Sequence, residues 1–384
     1  MTEISKIVLV ANNVGGIGGV STFAATMARE FSRRDYEVLL LGFDQVDTLI
    51  DTSAFRTFTA FDAPTPEAVS PRKAALGSLD PRVRWSRRKL RKLRERGSER
   101  LQPILAEFDS RTAVICTQVF GMERLIAAGF DPSDRSGPLT FGQHHNSFGA
   151  AQRGGYIPRL RRSYYAIDRF VALTPEDAHS FRLAGLADVT AIANPVDMAE
   201  QTPDPESRTI MCLGRIDAQK RPERLIHAWS LVSRDFPDWS LELWGSGDQE
   251  DQTRDLIDTL GLSDSARMMG ATSDVPTVLK RAAALVLSSD DEGLPLAIAE
   301  AARAGVPTVS VDCAPGIREL IDDGRTGIVT PARSVEGLAA GLETMMGDQT
   351  TRHAMGRAAQ EKSQAWQPAA IVDQWEDEFT RALR

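Results

Sequence analysis

Short runs of apolar, often β-branched residues alternate along the chain with longer segments of helical period. The runs are KIVLVA (6–11), EVLLLG (37–42), TAVICTQ (112–118), LTFGQ (139–143), RFVALT (169–174), TIMCLG (209–214), LELWGSG (241–247), ALVLSS (284–289) and PTVSVD (307–312). Strand, helix and strand repeated in this way predict parallel sheets that are covered by helices on both faces. Because 384 residues exceed the common size of one domain, we expect two domains.

A proline-containing segment separates the first five runs from the last four. This segment, ANPVDMAEQTPDPESRT (193–209), has three prolines and no apolar period, which is typical of a linker. The sequence therefore predicts an α/β fold of two facing Rossmann-like domains, each with a doubly wound parallel sheet, and a cleft between them. Ligands of such sheets bind outside the carboxyl ends of the strands, so the cleft is the predicted site.

The composition indicates a globular protein of a reducing compartment. Three cysteines lie far apart inside apolar runs, which is typical of buried thiols rather than of a disulfide framework or a zinc site. The chain begins with a strand-like run, and no stretch reaches the roughly 18 apolar residues of a membrane span. We therefore predict a cytoplasmic protein.

Four glycines follow the first apolar run and precede a segment of helical period. They are Gly15, Gly16, Gly18 and Gly19. Glycine lets the backbone approach a ligand closely, and the helix N-terminus behind it favours an anion. The run lacks the last glycine of a dinucleotide-binding fingerprint, and it is no nucleophile elbow, so a serine hydrolase is not indicated. A turn that only permits tight packing of strand and helix is the alternative interpretation.

The second half places two cations and two carboxylates after consecutive strand-like runs. Arg215 and Lys220 follow TIMCLG, and together they suit a diphosphate. Glu292 and Glu300 lie in SSDDEGLPLAIAE, where Glu300 falls on an apolar helix. A carboxylate costs free energy there unless it is hydrogen-bonded, and the vicinal hydroxyls of a ribose could supply two bonds. The turn at 245–247, Gly-Ser-Gly, is a second place where a nucleotide could meet the backbone.

In this order and spacing the motifs resemble the retaining glycosyltransferases of sequence family 4. The resemblance is carried by GRIDAQK, the E-x7-E pair and AGVPTVSVD, and also by GGVSTFAATMAREF and FVALTPEDAHSF in the first half. It implies the GT-B fold, with an acceptor-binding domain at 1–195 and a donor-binding domain at 196–365. A helix at 366–384 would cross back onto the first domain.

The resemblance also implies roles for individual residues. Arg215 and Lys220 would hold the diphosphate of a nucleotide-sugar, Glu300 its ribose and Glu292 its sugar or phosphate side. The residues expected to complete the donor site are Gly18, Gly19, His144, Gly245, Ser246, Gly293 and Leu294. No metal or other cofactor is expected, and UDP is favoured over GDP. Asp290, Asp291 and Arg221 are expected to be solvated.

The histidine pair in FGQHHNSFG is expected at the carboxyl end of a first-domain strand. Neighbouring residues of an extended chain point in opposite directions, so at most one of the two faces a substrate. We favour His145 over His144 for the contact with the donor sugar that the resemblance implies, and the alternative is a buried histidine bonded to backbone. Asn146 and Ser147 are expected on the acceptor side.

The segment RVRWSRRKLRKLRERGSER (82–100) has ten basic residues and two acidic ones, in a chain of net charge −8. Its predicted patch for a membrane or a polyanion comprises Arg84, Arg87, Arg88, Lys89, Arg91 and Lys92. An anionic membrane surface, an anionic glycopolymer and a solvated helix without a partner all fit this pattern. Nucleic acid is not expected, because no aromatic platform accompanies the charge.

The function predicted from these features is transfer of a sugar from a nucleotide-sugar, with retention, to a cell-envelope glycan, a teichoic-acid-type polymer or a lipid-linked acceptor. The attack would come from the face that the diphosphate leaves, without a covalent enzyme intermediate. The alternatives are a nucleotide-sugar epimerase or a glycan phosphorylase of the same fold, and a nucleotide-binding protein without catalysis.

Overall fold

A computed structural model of the chain describes residues 3–14, 18–44, 51–65 and 81–383. The chain divides into two compact units. The first unit comprises residues 1–145, 155–192 and 372–384, and the second comprises residues 146–154 and 193–371. The chain passes from the first unit, at residue 192, to the second unit, at residue 193, at the start of the proline-containing segment.

The elements follow one another in the alternating order that the sequence predicts. The strands are β1 (Lys6–Val10), β2 (Glu37–Gly42), β3 (Arg56–Thr59), β4 (Thr112–Cys116), β5 (Leu139–Gln143), β6 (Arg169–Ala172), β7 (Val189–Ala191), β8 (Thr209–Leu213), β9 (Ser240–Trp244), β10 (Ala266–Gly270), β11 (Ala284–Leu287), β12 (Thr308–Val311) and β13 (Gly327–Thr330). The helices described are α1 (Gly19–Arg33), α2 (Pro81–Leu105), α3 (Val119–Ala127), α4 (Phe148–Arg153), α5 (Ile157–Ser163), α6 (Pro175–Leu183), α7 (Pro222–Val232), α8 (Glu250–Thr259), α9 (Val275–Lys280), α10 (Leu296–Arg303), α11 (Pro315–Leu320), α12 (Val335–Gly347), α13 (Gln349–Lys362) and α14 (Pro368–Ala382).

The first unit is built on a seven-stranded parallel sheet in the order β3-β2-β1-β4-β5-β6-β7. The central strands β1 and β4 are buried along their whole length, as expected for strands covered on both faces. The order of the strands reverses between β1 and β4, which makes this pair the topological switch point of the first sheet.

The second unit repeats the arrangement with a six-stranded parallel sheet in the order β10-β9-β8-β11-β12-β13. Its switch point lies between β8 and β11. The largest fully buried side chain of its core is Trp229 of α7, and its indole nitrogen donates a hydrogen bond to Ser265 Oγ at 3.1 Å. The predicted α/β class with two doubly wound parallel sheets is therefore confirmed.

Most of the last helix, α14, packs on the first unit, to which residues 372–384 belong. Its Phe379 ring lies 5.3 Å from that of Phe141 in β5 and stacks on that of Phe31 in α1. Arg34, which follows α1, forms ion pairs of 2.7 Å with the Asp373 and Glu376 carboxylates. None of the helices within the described ranges has both the length and the apolar character that crossing a membrane requires.

Candidate functional site

The predicted donor residues of the second unit follow the two strands of its switch point. The loop after β8 carries Arg215 and Lys220, and the loop after β11 carries Glu292. Parallel strands end at the same edge of a sheet, so both loops leave the sheet at one place. In open sheets of this kind, ligands bind at such a place.

Hydrogen bonds tie these two loops together. The Ser288 hydroxyl donates to the Lys220 and Arg221 carbonyls at 2.9 Å, and the Gln219 side-chain amide donates to the Asp291 carbonyl at 2.8 Å. The Asp290 amide donates in turn to the Gln219 carbonyl at 2.8 Å. These bonds therefore fix the two loops, and the groups that they carry, relative to each other.

Asp290 is not the solvated turn residue that the sequence suggested. Its carboxylate accepts hydrogen bonds of 2.6 Å from Arg224 in α7 and from Arg221, whose backbone is left-handed with φ 53°. Burial raises the pKa of Asp290, but the bonds from Arg224 and Arg221 outweigh it, so the pKa lies below its usual value. The expectation that Arg221 is merely solvated is also wrong. Arg221 and Arg224 both donate to Asp290 and so attach the start of α7 to the loop after β11.

Lys220 and Glu292 form the charged centre of the site. The Lys220 ammonium nitrogen lies 2.6 Å from Glu292 Oε1, which also accepts a 2.6 Å hydrogen bond from the Ser289 hydroxyl. The side chain of Glu292 is 8% exposed and that of Lys220 is 23% exposed. An ammonium has three N–H donors, so Lys220 can bind an anion while it keeps Glu292.

Arg215 is the more exposed of the two cations. Its side chain is 66% exposed, and its guanidinium lies 2.6 Å from Asp217 Oδ2. A surface pair of this kind contributes little to stability and leaves further N–H donors of the guanidinium open to an anion.

Glu300 lies on α10, among buried alanine and isoleucine side chains. No hydrogen bond or ion pair joins its carboxylate to any residue that the structure describes. Burial raises the pKa of Glu300 above its usual value. A half-buried carboxylate without a partner costs free energy that a hydrogen-bonding ligand would offset.

Glycines allow close backbone contacts around the site. A β-carbon at Gly245, where φ is 151°, would lie 1.7 Å from the Gly214 carbonyl oxygen. A β-carbon at Gly316 would lie 1.9 Å from the Gly293 carbonyl oxygen. The turn with Ser246 therefore packs directly on the loop after β8, where the Ser246 carbonyl accepts from the Ile216 amide at 2.9 Å. Next to Gly293, Leu294 is 6% exposed.

The segment after His145 contacts the same site. It belongs to the second unit, where Asp291 accepts a 3.0 Å hydrogen bond from the Ser147 hydroxyl and pairs with Arg153 at 2.7 Å. The Ser147 hydroxyl also caps α4 by accepting from the Ala150 amide. The Asp291 carboxylate thus anchors this segment and is not the solvated group that was expected. Asn146 is exposed.

We expect Asp291→Ala to loosen the segment 146–154. Ser147 and Arg153 attach this segment to the loop after β11, and both bind the Asp291 carboxylate. Hydrogen exchange of the amides at 148–153 should accelerate by about tenfold or more, as expected for a loss of more than about 1.4 kcal/mol in local stability. Asp255→Ala, which removes an exposed carboxylate of α8, should leave these rates unchanged. Unaltered exchange in Asp291→Ala would show that the segment is held by other contacts.

The two histidines at the end of β5 lie in different surroundings. His144 is 7% exposed between the rings of Tyr156 and Phe181, and burial lowers its pKa to about 4, so it is neutral near pH 7. His145 is half-buried, and its ring contacts that of Phe23 edge to face at 4.7 Å. Phe23 lies in the first turns of α1, so of the two histidines His145 is the one that contacts the helix of the glycine-containing turn.

The glycine-containing turn is described from Gly18 onward. Gly18 precedes α1 with φ 155°, and Gly19 is the first residue of the helix. Gly15 and Gly16 lie outside the described residues.

Gln143, just before the histidines, was not singled out from the sequence. It is fully buried, and neither polar atom of its side chain has a hydrogen-bond partner within the described parts of the chain.

The described residues bring no three histidine, cysteine, aspartate or glutamate side chains together in an arrangement that could hold a metal ion. Two of the three cysteines lie near the charged centre. Burial, in both cases the largest cause, raises the pKa of Cys212 to about 11 and that of Cys313 to about 12. Both are therefore protonated thiols near pH 7.

Most of the second unit matches the model of a known protein family. Residues 194–362 match the sequence model of the family described as glycosyl transferases group 1. This range contains Arg215, Lys220, Glu292 and Glu300, so the site built by the two loops and α10 lies wholly within the matched domain.

Curated relatives share parts of the chain. An exopolysaccharide phosphotransferase of Streptomyces coelicolor is 36% identical over 177 residues, which are 46% of this chain and 19% of that protein. An uncharacterized glycosyltransferase of Haemophilus influenzae is 26% identical over 58% of this chain and 65% of its own length. A poly(glycerol-phosphate) alpha-glucosyltransferase of Bacillus subtilis is 24% identical over 64% of this chain and 37% of its own. The chain spans less than two thirds of the length of each.

Solved structures match the chain nearly end to end. TarM of S. aureus superposes with a TM-score of 0.79 at 12% identity, over 98% of this chain and all of that one. Anabaena HepE, crystallised with UDP and glucose, gives a TM-score of 0.76 at 18% identity, over 98% of this chain and all of that one. These likenesses show the GT-B fold.

Proposed function

We propose that this chain, which carries a glycosyl transferases group 1 domain at residues 194–362, transfers a sugar from a nucleotide-sugar to a hydroxyl of a cell-envelope glycan, a teichoic-acid-type polymer or a lipid-linked acceptor. The observation that carries the proposal is the switch point of the second unit. There, two cations and a carboxylate lie on two loops tied together by hydrogen bonds, and α10 adds a carboxylate that has no hydrogen-bond partner among the described residues. This set suits the diphosphate, the sugar and the ribose of one donor.

UDP is the proposed nucleotide of the donor. The TarM and HepE structures that share the fold contain UDP, and the B. subtilis relative is named for glucosyl transfer to poly(glycerol phosphate). A thermal-shift screen of UDP- and GDP-sugars, followed by hydrolysis of the stabilising sugar nucleotide, tests the proposal. Stabilisation by none of them would contradict it.

In the proposed mechanism the acceptor oxygen attacks the anomeric carbon from the face that the diphosphate leaves. The bond from that carbon to the diphosphate oxygen breaks with its electron pair on the oxygen, and the acceptor proton passes to the departing phosphate. Lys220 and Arg215 lower the barrier by binding the negative charge as it builds. Glu292 holds the Lys220 ammonium in place and faces the sugar.

We assign His145, rather than the neutral and enclosed His144, to the donor sugar, and Ser147 and Asn146 to the acceptor side. The support for His145 is its half-buried position beside α1. The support for Ser147 is its hydrogen bond to Asp291, next to Glu292. Gly18, Gly19, Gly245, Ser246, Gly293 and Leu294 keep their proposed places in the donor site.

An epimerase or a phosphorylase of this fold would use the same donor groups. Incubation with a UDP-sugar alone distinguishes an epimerase, which would release a stereoisomer. Incubation with orthophosphate and a glucan distinguishes a phosphorylase, which would release a sugar phosphate. A protein that only binds nucleotide would be stabilised by UDP and would yield no product under any of these conditions.

We predict that affinity for UDP-glucose falls on acidification because Glu300 becomes protonated. Because burial raises its pKa, this loss should occur at a higher pH than for an exposed glutamate. The stability of the unliganded protein should depend on pH in the opposite direction. Burial favours the neutral form of Glu300, so its contribution to the free energy of unfolding is present at low pH and is lost as the pH rises through the raised pKa. Both phosphates of UDP-glucose are esterified, so the donor itself does not titrate there.

Calorimetric titrations between pH 5 and pH 8 test this prediction, with Glu300→Gln as the control. The amide keeps the shape of the side chain and does not titrate, so its affinity should be lower at pH 8 and independent of pH. An equal fall in both proteins would assign the effect to another group.

The outer surface of α2 is a proposed contact for a polyanion, which would place the protein at the cytoplasmic face of an anionic membrane or on an anionic polymer. All six residues of the predicted patch are exposed, and Arg91 pairs with Glu95 at 3.5 Å. Each basic residue near an anionic bilayer contributes about 1 kcal/mol. We expect the protein to pellet with anionic liposomes at low salt, and to be released at high salt. Absence of pelleting at low salt would exclude the membrane.

A further inference from the structure

The first unit contains a cavity of about 260 Å³ at the carboxyl edge of its sheet. Phe43 follows β2, Phe61 follows β3, and Phe120 lies in the first turn of the helix after β4, so all three rings come from chain segments that leave the sheet at this edge. Arg94, Ser98 and neighbouring residues of α2 line another side of the cavity. The space is just below the 300–1,000 Å³ of most ligand pockets, so it suits one unit of a larger molecule.

Guanidinium groups lie on the aromatic rings of this cavity. The Arg124 guanidinium carbon is 4.8 Å from the ring centre of Phe61 and 5.3 Å from that of Phe43. The guanidinium carbon of Arg159 is 3.9 Å from the ring centre of Phe120. Stacking uses the faces of these groups and leaves their N–H edges available for an oxyanion.

The two guanidinium groups differ in how far their donors are used. Arg159 is engaged in two hydrogen bonds with the Glu123 carboxylate, at 2.7 and 2.5 Å, and Ser163 donates to the same carboxylate at 3.3 Å. By contrast, Arg124 Nε is buried and has no hydrogen-bond partner within the described ranges. A buried donor without an acceptor is costly, so an acceptor in the cavity would stabilise it.

The charges around Arg124 also favour an anion. Burial, and after it the positive charge of Arg94, lowers the pKa of Arg124, while the charges of Asp44 and Glu123 act in the opposite direction. Of these two carboxylates, Glu123 is already bound by Arg159, and Asp44 accepts a hydrogen bond from Thr65. Arg94 has no ion pair or hydrogen bond among the residues described.

We propose, building on the function proposed above, that this arginine pocket (Phe43, Phe61, Arg94, Phe120, Arg124 and Arg159) binds a phosphoryl group of the acceptor. The acceptor is then a phosphate-bearing molecule, either a polymer of polyol or sugar phosphates or a lipid-linked phosphate. Arg94 and Arg124 supply the N–H donors, and the Arg159 guanidinium, held by Glu123, supplies a fixed positive charge.

The pocket is distinct from the outer surface of α2. Arg94, Ser98 and Leu101 are spaced by four and three residues, so they share the face of α2 that lines the cavity. Lys92, two residues before Arg94, lies on another face and is exposed. The control is instead Arg111→Gln, because Arg111 is exposed and directly precedes β4, at the opposite edge of the same sheet. It removes the same charge from the first unit and belongs neither to the pocket nor to the outer surface of α2.

The test measures binding of poly(glycerol phosphate) oligomers to the full chain by calorimetry, without a donor. Arg94→Gln and Arg124→Met should each weaken binding by about tenfold or more, as expected for the loss of charge-assisted hydrogen bonds, whereas Arg111→Gln should change it by less than about twofold. An uncharged glucan should not bind in the pocket. Phosphatidic acid vesicles replace the oligomers in a second arm, which distinguishes a lipid phosphate from a polymer.

Each outcome bears on the proposal. Equal affinities for wild type and Arg94→Gln, equal losses in Arg94→Gln and Arg111→Gln, or no binding of either probe by wild type would overturn it. Arg94 is exposed, so its variant decides the matter even if Arg124→Met does not fold. Binding of UDP-glucose is measured separately. If a phosphate probe binds through the pocket arginines but UDP-glucose does not bind, the proposed function is contradicted, whereas the pocket proposal stands.

Discussion

Replacing Lys220 with alanine should lower kcat by about 10²–10³, because the ammonium binds the charge that builds on the departing diphosphate. The same ammonium lies 2.6 Å from the nearly buried Glu292 carboxylate. The variant should therefore also be less stable, by less than the roughly 3–5 kcal/mol of a fully buried pair, since Lys220 is partly exposed and Ser289 still donates to Glu292. Initial-rate kinetics and thermal unfolding measure the two effects.

A double variant separates catalysis from stability. In Lys220→Met with Glu292→Gln, no charge is left without its partner, and the glutamine can still accept from Ser289. Most of the stability should return, whereas kcat should stay low. Turnover near that of wild type in either protein would show that Lys220 does not stabilise the leaving group.

Gly245→Ala should be among the most destabilising single substitutions in the second unit. The new β-carbon would lie 1.7 Å from the Gly214 carbonyl oxygen, and the backbone has φ 151°, which L side chains rarely adopt. Overpacking against backbone costs about 1–3 kcal/mol or more, and the unfavourable backbone conformation adds about 1–3 kcal/mol. Because the displaced loop leads to Arg215 and Lys220, binding of UDP-glucose should weaken as well.

Gly261→Ala is the matched control for this substitution. Gly261 also has positive φ, 65°, but nothing lies within 4 Å of the position of its β-carbon. Its substitution should cost about 1–2 kcal/mol through backbone conformation alone and leave donor binding unchanged. Similar melting temperatures and affinities for the two variants would mean that the contact of Gly245 with Gly214 does not shape the site.

The nine apolar runs predicted nine of the thirteen strands described. The strands that were missed, β3, β7, β10 and β13, are the four outermost strands of the two sheets. An outer strand has one neighbour and is partly exposed, as β3 and β10 are, so it carries no continuous apolar run. Alternation along the sequence therefore predicts the centre of such a sheet better than its edges.

The positions of Lys220 and Glu292 at the carboxyl ends of strands could be inferred from the sequence, whereas the ion pairs of Asp290 and Asp291 could not. Lys220 and Glu292 follow the ends of their strands, and the structure places them in contact. Asp290 and Asp291 were misjudged because their partners Arg224 and Arg153 lie 66 and 138 positions away along the chain. No local pattern distinguishes such an aspartate from a solvated one.

The arginine pocket could not have been predicted for the same reason. Its rings and guanidinium groups come from five separate segments, and each residue alone is an ordinary surface or core residue. The basic segment did indicate the charge of α2. It gave no indication that Arg94 faces a cavity lined by phenylalanine rings while Lys92 lies on another face.

Calorimetric titration of UDP-glucose measures whether the switch point of the second unit binds the nucleotide-sugar, as we propose. We expect a Kd between about 1 μM and 1 mM, the usual range for enzyme substrates, and at least about tenfold weaker binding to Glu300→Ala. Glu343→Ala, which removes an exposed carboxylate of α12, should bind like wild type. No binding by wild type, or equal binding by wild type and Glu300→Ala, would contradict this proposal.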